Sequence, residues 1–129
     1  MEVPPVLIVD DEPMILMFVA EALHEAGYTV LEASDGAAAM ALIDQREELR
    51  GLITDVRLGS EHDGWAVAHY ARQKFPALPV VYATGDSAGE WSAEGVPQSA
   101  VLQKPFVSAE LVTALAQLLV MHHPAPSNL

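Results

Sequence analysis

One pattern constrains this chain most: a short apolar run rich in β-branched residues, then a stretch of helical character, repeated five times. The runs are Val6–Val9, residues 28–32, Gly51–Asp55, residues 79–83 and Ala100–Gln103. Strands that show no polar alternation fit burial on both faces, as in parallel sheets. Parallel neighbours need a crossover of a dozen or more residues, and a helix supplies it. The expected fold is therefore α/β, a doubly wound five-stranded parallel sheet covered by helices on both faces. Local punctuation agrees. Pro13 suits a first helical turn with Asp11 or Glu12 as cap, and Gly27 ends a helix over 13–26. Ser34-Asp35-Gly36 marks a turn before a helix over 37–48. Pro76 closes a helix over 65–74. Residues 87–95, with Gly89 and few strong helix formers, predict a short, weak and mobile helix. Ser108 is read as the cap of a last helix, with Leu111, Val112, Leu115, Leu118 and Leu119 on its apolar stripe. From His122 onward a polar, Pro-containing tail is expected to fray. No repeat, linker or second domain is left to place, so residues 1–129 are read as one domain with a core over about 5–121.

Composition narrows the function. The net charge is −12, and the six Lys and Arg form no cluster. Nucleic-acid binding needs a basic footprint to neutralise phosphates, and an anionic membrane surface makes the same demand, so neither is expected as a partner. Cysteine is absent, which excludes disulfides, thiol catalysis and Cys-based metal sites. There is no span-length apolar run and no signal-peptide pattern at the N-terminus, so a cytoplasmic location is expected.

The strand ends carry the chemistry. The first run ends in Asp10-Asp11, the third in Asp55, the fourth in Thr84 and the fifth in Lys104. In open α/β sheets the carboxyl ends of the strands lie along one edge, where such folds bind ligands. Three carboxylates gathered there repel unless a cation intervenes, and an all-oxygen set completed by water suits Mg²⁺. Lys104 and the Thr84 hydroxyl add a positive charge and a donor for an anion beside the metal. A carboxylate nucleophile, a divalent cation and a cationic clamp are the equipment of phosphoryl transfer. A helix cap accounts for one acid of the Asp10-Asp11 pair but not for both.

With Asp10-Asp11, Asp55, Thr84 and Lys104-Pro105-Phe106 in this order and approximate spacing, the chain resembles response-regulator receiver domains over about residues 5–121. The resemblance implies strand order 2-1-3-4-5 and a signalling phosphoacceptor that catalyses only its own phosphorylation and dephosphorylation. It implies that Asp55 takes phosphate from a phosphohistidine on a sensor histidine kinase or phosphotransfer protein. It also implies that Asp10, Asp11, Asp55 and the Arg57 backbone carbonyl hold Mg²⁺ or Mn²⁺, and that Thr84 and Lys104 contact the phosphoryl group. With no effector domain attached, the chain is similar to stand-alone receivers, monomeric or dimerising on phosphorylation. Output is then protein–protein contact or onward phosphotransfer. The chain departs from the family pattern in several places. Gly59 stands where the family usually has Pro, the loop to Asp63-Gly64 is about one residue longer, and Val101 replaces the usual aromatic. Tyr82-Ala83-Thr84-Gly85 is similar to the Phe-Ala-Thr-Gly stretch of the FAT GUY group, which also lacks that aromatic.

Further residues are candidates for modulation. Arg57 and Asp86 each stand two residues past a site residue, and an ion pair between them is expected across the site's mouth; independent surface charges are the alternative. Tyr82 shares a strand face with Thr84, as a candidate switch or as a core tyrosine. The first helix is apolar nearly all round. With Ile15, Phe18, Val19, Ala22 and Ala26 facing the sheet, Met14 and Met17 stay outside as a candidate kinase-docking surface. The five histidines show no metal spacing, and His62 is read as a solvated loop residue. Trp65 and Trp91 are expected to be partly buried anchors. Two other functional classes remain: a non-phosphorylated scaffold with this architecture, and a small aspartyl-nucleophile phosphatase. The phosphatase usually needs a second acid two residues after the nucleophile, where this chain has Arg57.

Overall fold

Parallel pairing joins all five apolar runs into one sheet of order β2-β1-β3-β4-β5. The protein's computed structural model describes residues 3–59 and 61–122. In chain order the elements are β1 Val6–Val9, α1 Pro13–Glu25, β2 Val30–Ala33, α2 Gly36–Gln45, β3 Gly51–Asp55 and α3 Gly64–Lys74. There follow β4 Val80–Thr84, a 3-10 turn Ala88–Glu90, α4 Trp91–Glu94, β5 Ala100–Gln103 and α5 Ser108–His122. The central strands β1, β3 and β4 are buried along their whole length, whereas the edge strands β2 and β5 are only partly covered.

Side chains alternate between the two faces of a strand, and the alternation sorts the core into two layers. Leu7, Val9, Leu52, Val80 and Tyr82 meet Ala39 and Ile43 of α2 and Val67, Ala68 and Ala71 of α3. Val6, Ile8, Ile53 and Val81 meet Val19 and Leu23 of α1 and Leu111, Leu115 and Leu118 of α5. Each fully buried aliphatic side chain contributes about 1.5–3 kcal/mol, so both layers are needed to hold the sheet edge in register. Among the described residues no helix is long and apolar enough to cross a membrane.

Several local expectations are corrected. α1 buries Val19, Ala20, Ala22 and Leu23, so Phe18 and Ala26 turn outward. Phe18 is 41% exposed and leans on the ring of Phe106, at 6.2 Å between centroids. Glu12 takes the N-cap position of α1, as expected, but makes no side-chain cap bond. Instead Asp10 Oδ1 accepts the Glu12 N–H at 2.9 Å. α2 stops at Gln45 rather than near Glu48. Lys74 of α3 donates to the carbonyls of Ile43 and Asp44 at 3.0 Å each and so satisfies two carbonyls of α2's last turn. α5 begins at Ser108 itself, and Glu110 Oε1 reaches back to accept the Val107 N–H at 3.1 Å. That bond is half of a capping box, with Val107 rather than Ser108 in the cap position. The segment after β4 is short, as its composition predicts: one 3-10 turn and a four-residue helix. Of the expected tail, His122 ends α5, and residues 123–129 lie outside the described residues.

Candidate functional site

The register of the sheet aligns the strand ends. Val9 pairs with Thr54, Asp55 with Ala83 and Thr84 with Gln103. The residue following β1, the last of β3, the last of β4 and the residue following β5 therefore share one edge. Asp10, Asp55 and Thr84 are buried there, at 5%, 7% and 1% exposure, while Asp11 faces solvent. The Lys104 N–H extends the β4–β5 pairing by donating to the Thr84 carbonyl at 2.8 Å. Its side chain then crosses the sheet edge: Nζ lies 2.9 Å from Asp10 Oδ2 and 3.3 Å from Asp55 Oδ2.

The electrostatics follow from burial and proximity. Burial pushes the Asp55 carboxyl above the usual aspartate value; Lys104 opposes the shift and the charge of Asp10 adds to it. Burial alone would lower the Lys104 ammonium, but its bond to Asp10 and the charges of Asp55 and Asp10 raise it overall. The lysine thus stays cationic between two acids. Asp10, Asp11, Glu12 and Asp55 each present a carboxylate oxygen, and these atoms lie within 4.8 Å of one another. Such a hard, all-oxygen set fits Mg²⁺, which keeps several waters and takes one or two carboxylates. Glu12 is the member that the sequence reading used only as a cap.

Thr84 Oγ1 accepts the N–H groups of Ser87 at 3.1 Å and Asp86 at 3.4 Å. Among the described hydrogen bonds none uses its hydroxyl proton. Arg57 and Asp86 do meet, with Nε 2.8 Å from Asp86 Oδ2, both side chains being mostly exposed. Ser87 Oγ also donates to Asp86 Oδ1, at 2.9 Å. The Ser87 bond first, and the Arg57 bond next, hold the Asp86 carboxyl below its ordinary range.

Two glycines shape the loop after β3. Gly59 has φ +64°, which proline, fixed near −65°, cannot adopt. A β-carbon on Gly59 would stand 3.0 Å from Asp11 Oδ2, so the loop lies directly against that acid. Gly64 lies against the main chain of Asp55, and sequence reasoning noted it only as a loop marker. His62 is half-buried, its Cβ packed over Gly36 at the start of α2, not simply solvated.

Tyr82 is fully buried. Its ring meets Trp65 at 4.5 Å between centroids, and its hydroxyl accepts the Val96 N–H at 3.0 Å. Half-buried Trp91 donates to Ser99 Oγ at 2.9 Å. Met14 and Met17 are exposed, at 82% and 62%, beside Phe18. A void of about 10 Å³ beside Asp10 and Asp55 is lined mostly by apolar residues of β1, β3 and α1. A larger groove of about 830 Å³ lies at the opposite edge of the sheet, lined by Pro4, Leu49, Phe75 and Leu119 among others.

Comparison with known proteins gives a consistent picture. Residues 6–116 match the family model described as the response regulator receiver domain. The response regulator receiver protein CpdR of Brucella abortus is 32% identical over 117 residues, which cover 89% of this chain and 96% of CpdR. The probable transcriptional regulatory protein TcrX of Mycobacterium tuberculosis is 34% identical over 116 residues, covering 88% of this chain. The chain spans only 49% of TcrX, and about a quarter of several other curated relatives. The crystal structure of a response regulator receiver protein from Sinorhizobium medicae WSM419 is similar with a TM-score of 0.90 and 40% identity, covering 95% of this chain and 98% of that one.

Proposed function

The chain belongs to the response regulator receiver domain family, and on that footing we propose that Asp55 accepts a phosphoryl group from the phosphohistidine of a sensor histidine kinase or phosphotransfer protein. One observation carries this reading: the buried Asp55 carboxylate stands 3.3 Å from Lys104 Nζ, within a cluster of acidic oxygens no more than 4.8 Å apart. An Asp55 oxygen attacks phosphorus, the O–P bond forms and the P–N bond breaks. The imidazole leaves with the electron pair and takes a proton from solvent. Hydrolysis reverses the role of Asp55, as water attacks phosphorus and the carboxylate departs. Lys104 turns from the acids to a phosphoryl oxygen, and Thr84 donates its free hydroxyl proton to another. Asp10, Asp11, Asp55 and the Arg57 backbone carbonyl would hold Mg²⁺ or Mn²⁺. When bound, the cation neutralises phosphoryl oxygens that the surrounding carboxylates would otherwise repel.

The state of Asp55 is read where Thr84 and Lys104 meet, and is passed to the surface of α4, β5 and α5. Val101 offers no aromatic ring there. Tyr82 is the aromatic candidate, and its buried hydroxyl bond to Val96 favours an anchor of the turn after α4 over a freely rotating switch. Met14 and Met17 supply an apolar contact beside the acids for the phosphate donor. The output is protein–protein binding or onward transfer.

Arg57, held by Asp86, leaves no second acid two residues after Asp55 to protonate a leaving group, which disfavours the phosphatase reading. Beryllofluoride or acetyl phosphate with Mg²⁺, tried on wild type and Asp55→Asn, separates the classes. One equivalent of modification, lost in Asp55→Asn, supports the receiver. Turnover of phosphomonoesters would support the phosphatase, and no response the scaffold.

A further inference from the structure

Gly64 opens α3 with its backbone laid on the last residue of β3. A β-carbon there would collide with the Asp55 carbonyl oxygen and fall 2.9 Å from its carbonyl carbon and 2.9 Å from the Val56 Cα. Even close Cα–H···O contacts keep C and O about 3.3–3.6 Å apart, so any side chain would have to drive the two backbones apart by over an ångström. Main-chain atoms of a central strand cannot swing aside as a flexible side chain does. Nor can α3 easily retreat. The Gly64 N–H donates to the Val56 carbonyl at 2.7 Å, Asp63 Oδ1 caps the Ala66 N–H at 2.9 Å, and Trp65 is buried against Tyr82. Gly64 is not among the residues with positive φ, so it is space and not backbone conformation that demands glycine here.

We propose that Gly64 is a positioning residue for the phosphoacceptor: the missing side chain seats the first turn of α3 on the Asp55 main chain and so fixes the Asp55 carboxylate relative to Lys104 and the acids. The inference rests on Asp55 being the phosphoacceptor. It differs from a purely structural role, in which an overpacked glycine costs stability and nothing more. The molecule contains the matching control. At the start of α2, a β-carbon on Gly36 would stand 2.6 Å from His62 Cβ and 2.7 Å from the His62 carbonyl oxygen, a similar insult placed on the loop and not on Asp55.

The test compares wild type, Gly64→Ala and Gly36→Ala, with Asp55→Asn as blank. Phosphorylation by acetyl phosphate at saturating Mg²⁺ is followed well below each protein's melting midpoint. Both alanine variants should melt at lower temperature. Only Gly64→Ala should also lose the limiting phosphorylation rate, by roughly ten- to a hundredfold for a displacement near 1 Å, with the acetyl phosphate concentration dependence unchanged. A Gly64→Ala rate equal to wild type, or an equal loss in Gly36→Ala, overturns the proposal. Wild-type labelling no greater than the blank overturns the phosphoacceptor reading and the inference with it. Should Gly64→Ala not fold, amide exchange in the wild type decides. Beryllofluoride should slow exchange at the Gly64 N–H more than at Gly36, and equal slowing at the two overturns the seat.

Discussion

At the scale of single residues, the site gathers carboxylates whose unfavourable charge Lys104 offsets only in part. Asp55 has its folded-state pKa raised, chiefly by burial and then by Asp10 against the pull of Lys104. A folded pKa above the unfolded one means that folding favours the protonated acid. The stabilisation it brings is complete below the unfolded pKa and is lost as pH rises through the folded one. At neutral pH the charge on Asp55 therefore costs stability in the metal-free protein. Asp55→Asn should melt higher than wild type in EDTA. Wild type should gain on adding Mg²⁺, by about 2.7 kcal/mol at a hundredfold excess over Kd, and Asp55→Asn should gain less. Differential scanning calorimetry with and without the cation checks both. The Arg57–Asp86 pair is a weaker device, since exposed pairs contribute about 0.2–1 kcal/mol. If it shields the acyl phosphate from water, Arg57→Ala and Asp86→Ala should each speed dephosphorylation by no more than about fivefold. Unchanged decay of the phosphorylated protein in both variants would remove that role. Asp10, Asp11, Asp55, Thr84 and Lys104 were legible because polar residues at strand ends interrupt apolar runs. Glu12 and Gly64 were not. Glu12 reads as a helix cap until the fold sets it among the acids, and Gly64 does its part through atoms it lacks.

At the scale of elements, α1 shows where periodicity runs out. A helix apolar nearly all round does not declare its buried stripe, so Phe18 and Ala26 were assigned inward. The sheet takes Val19 and Ala22 as expected, but Ala20 and Leu23 in place of Phe18 and Ala26. The consequence is a wider exposed surface, with Phe18 and the Phe106 ring beside Met14 and Met17. If that surface receives the phosphate donor, a Met14→Ser, Met17→Ser double variant should accept phosphate from its kinase roughly tenfold more slowly, the loss of about 1.4 kcal/mol of contact. Its labelling by acetyl phosphate should be unchanged, because no partner helix is involved. Stopped-flow transfer kinetics distinguish the two, and equal transfer rates would sink the docking role. The end of α2 departs from local expectation for a different reason. Local sequence allows helix to about Glu48, but Lys74, 30 residues beyond Asp44, takes the carbonyls of Ile43 and Asp44 where the helix stops. Contacts of that range leave no periodic signal.

At the scale of the whole molecule, the layering was the most legible feature, because strands apolar on both faces fit a parallel sheet covered by crossover helices; the strand order is the one the family resemblance implies, and the sheet has it. That topology brings residues from positions 10, 55, 84 and 104 to one edge. Asp10, Asp55 and Thr84 are buried at that edge, whereas Asp11 faces solvent. Gly59, a departure from the family pattern, lies against Asp11, and the exposed Arg57–Asp86 pair follows two strand ends of the same edge. The most direct test is to treat wild type with acetyl phosphate and Mg²⁺, trap the acyl phosphate by borohydride reduction, and map the altered residue by mass spectrometry. One phosphoryl group per chain should be found on Asp55, absent in EDTA and in Asp55→Asn. Phosphate on any other residue, or none on folded wild type, would contradict the account.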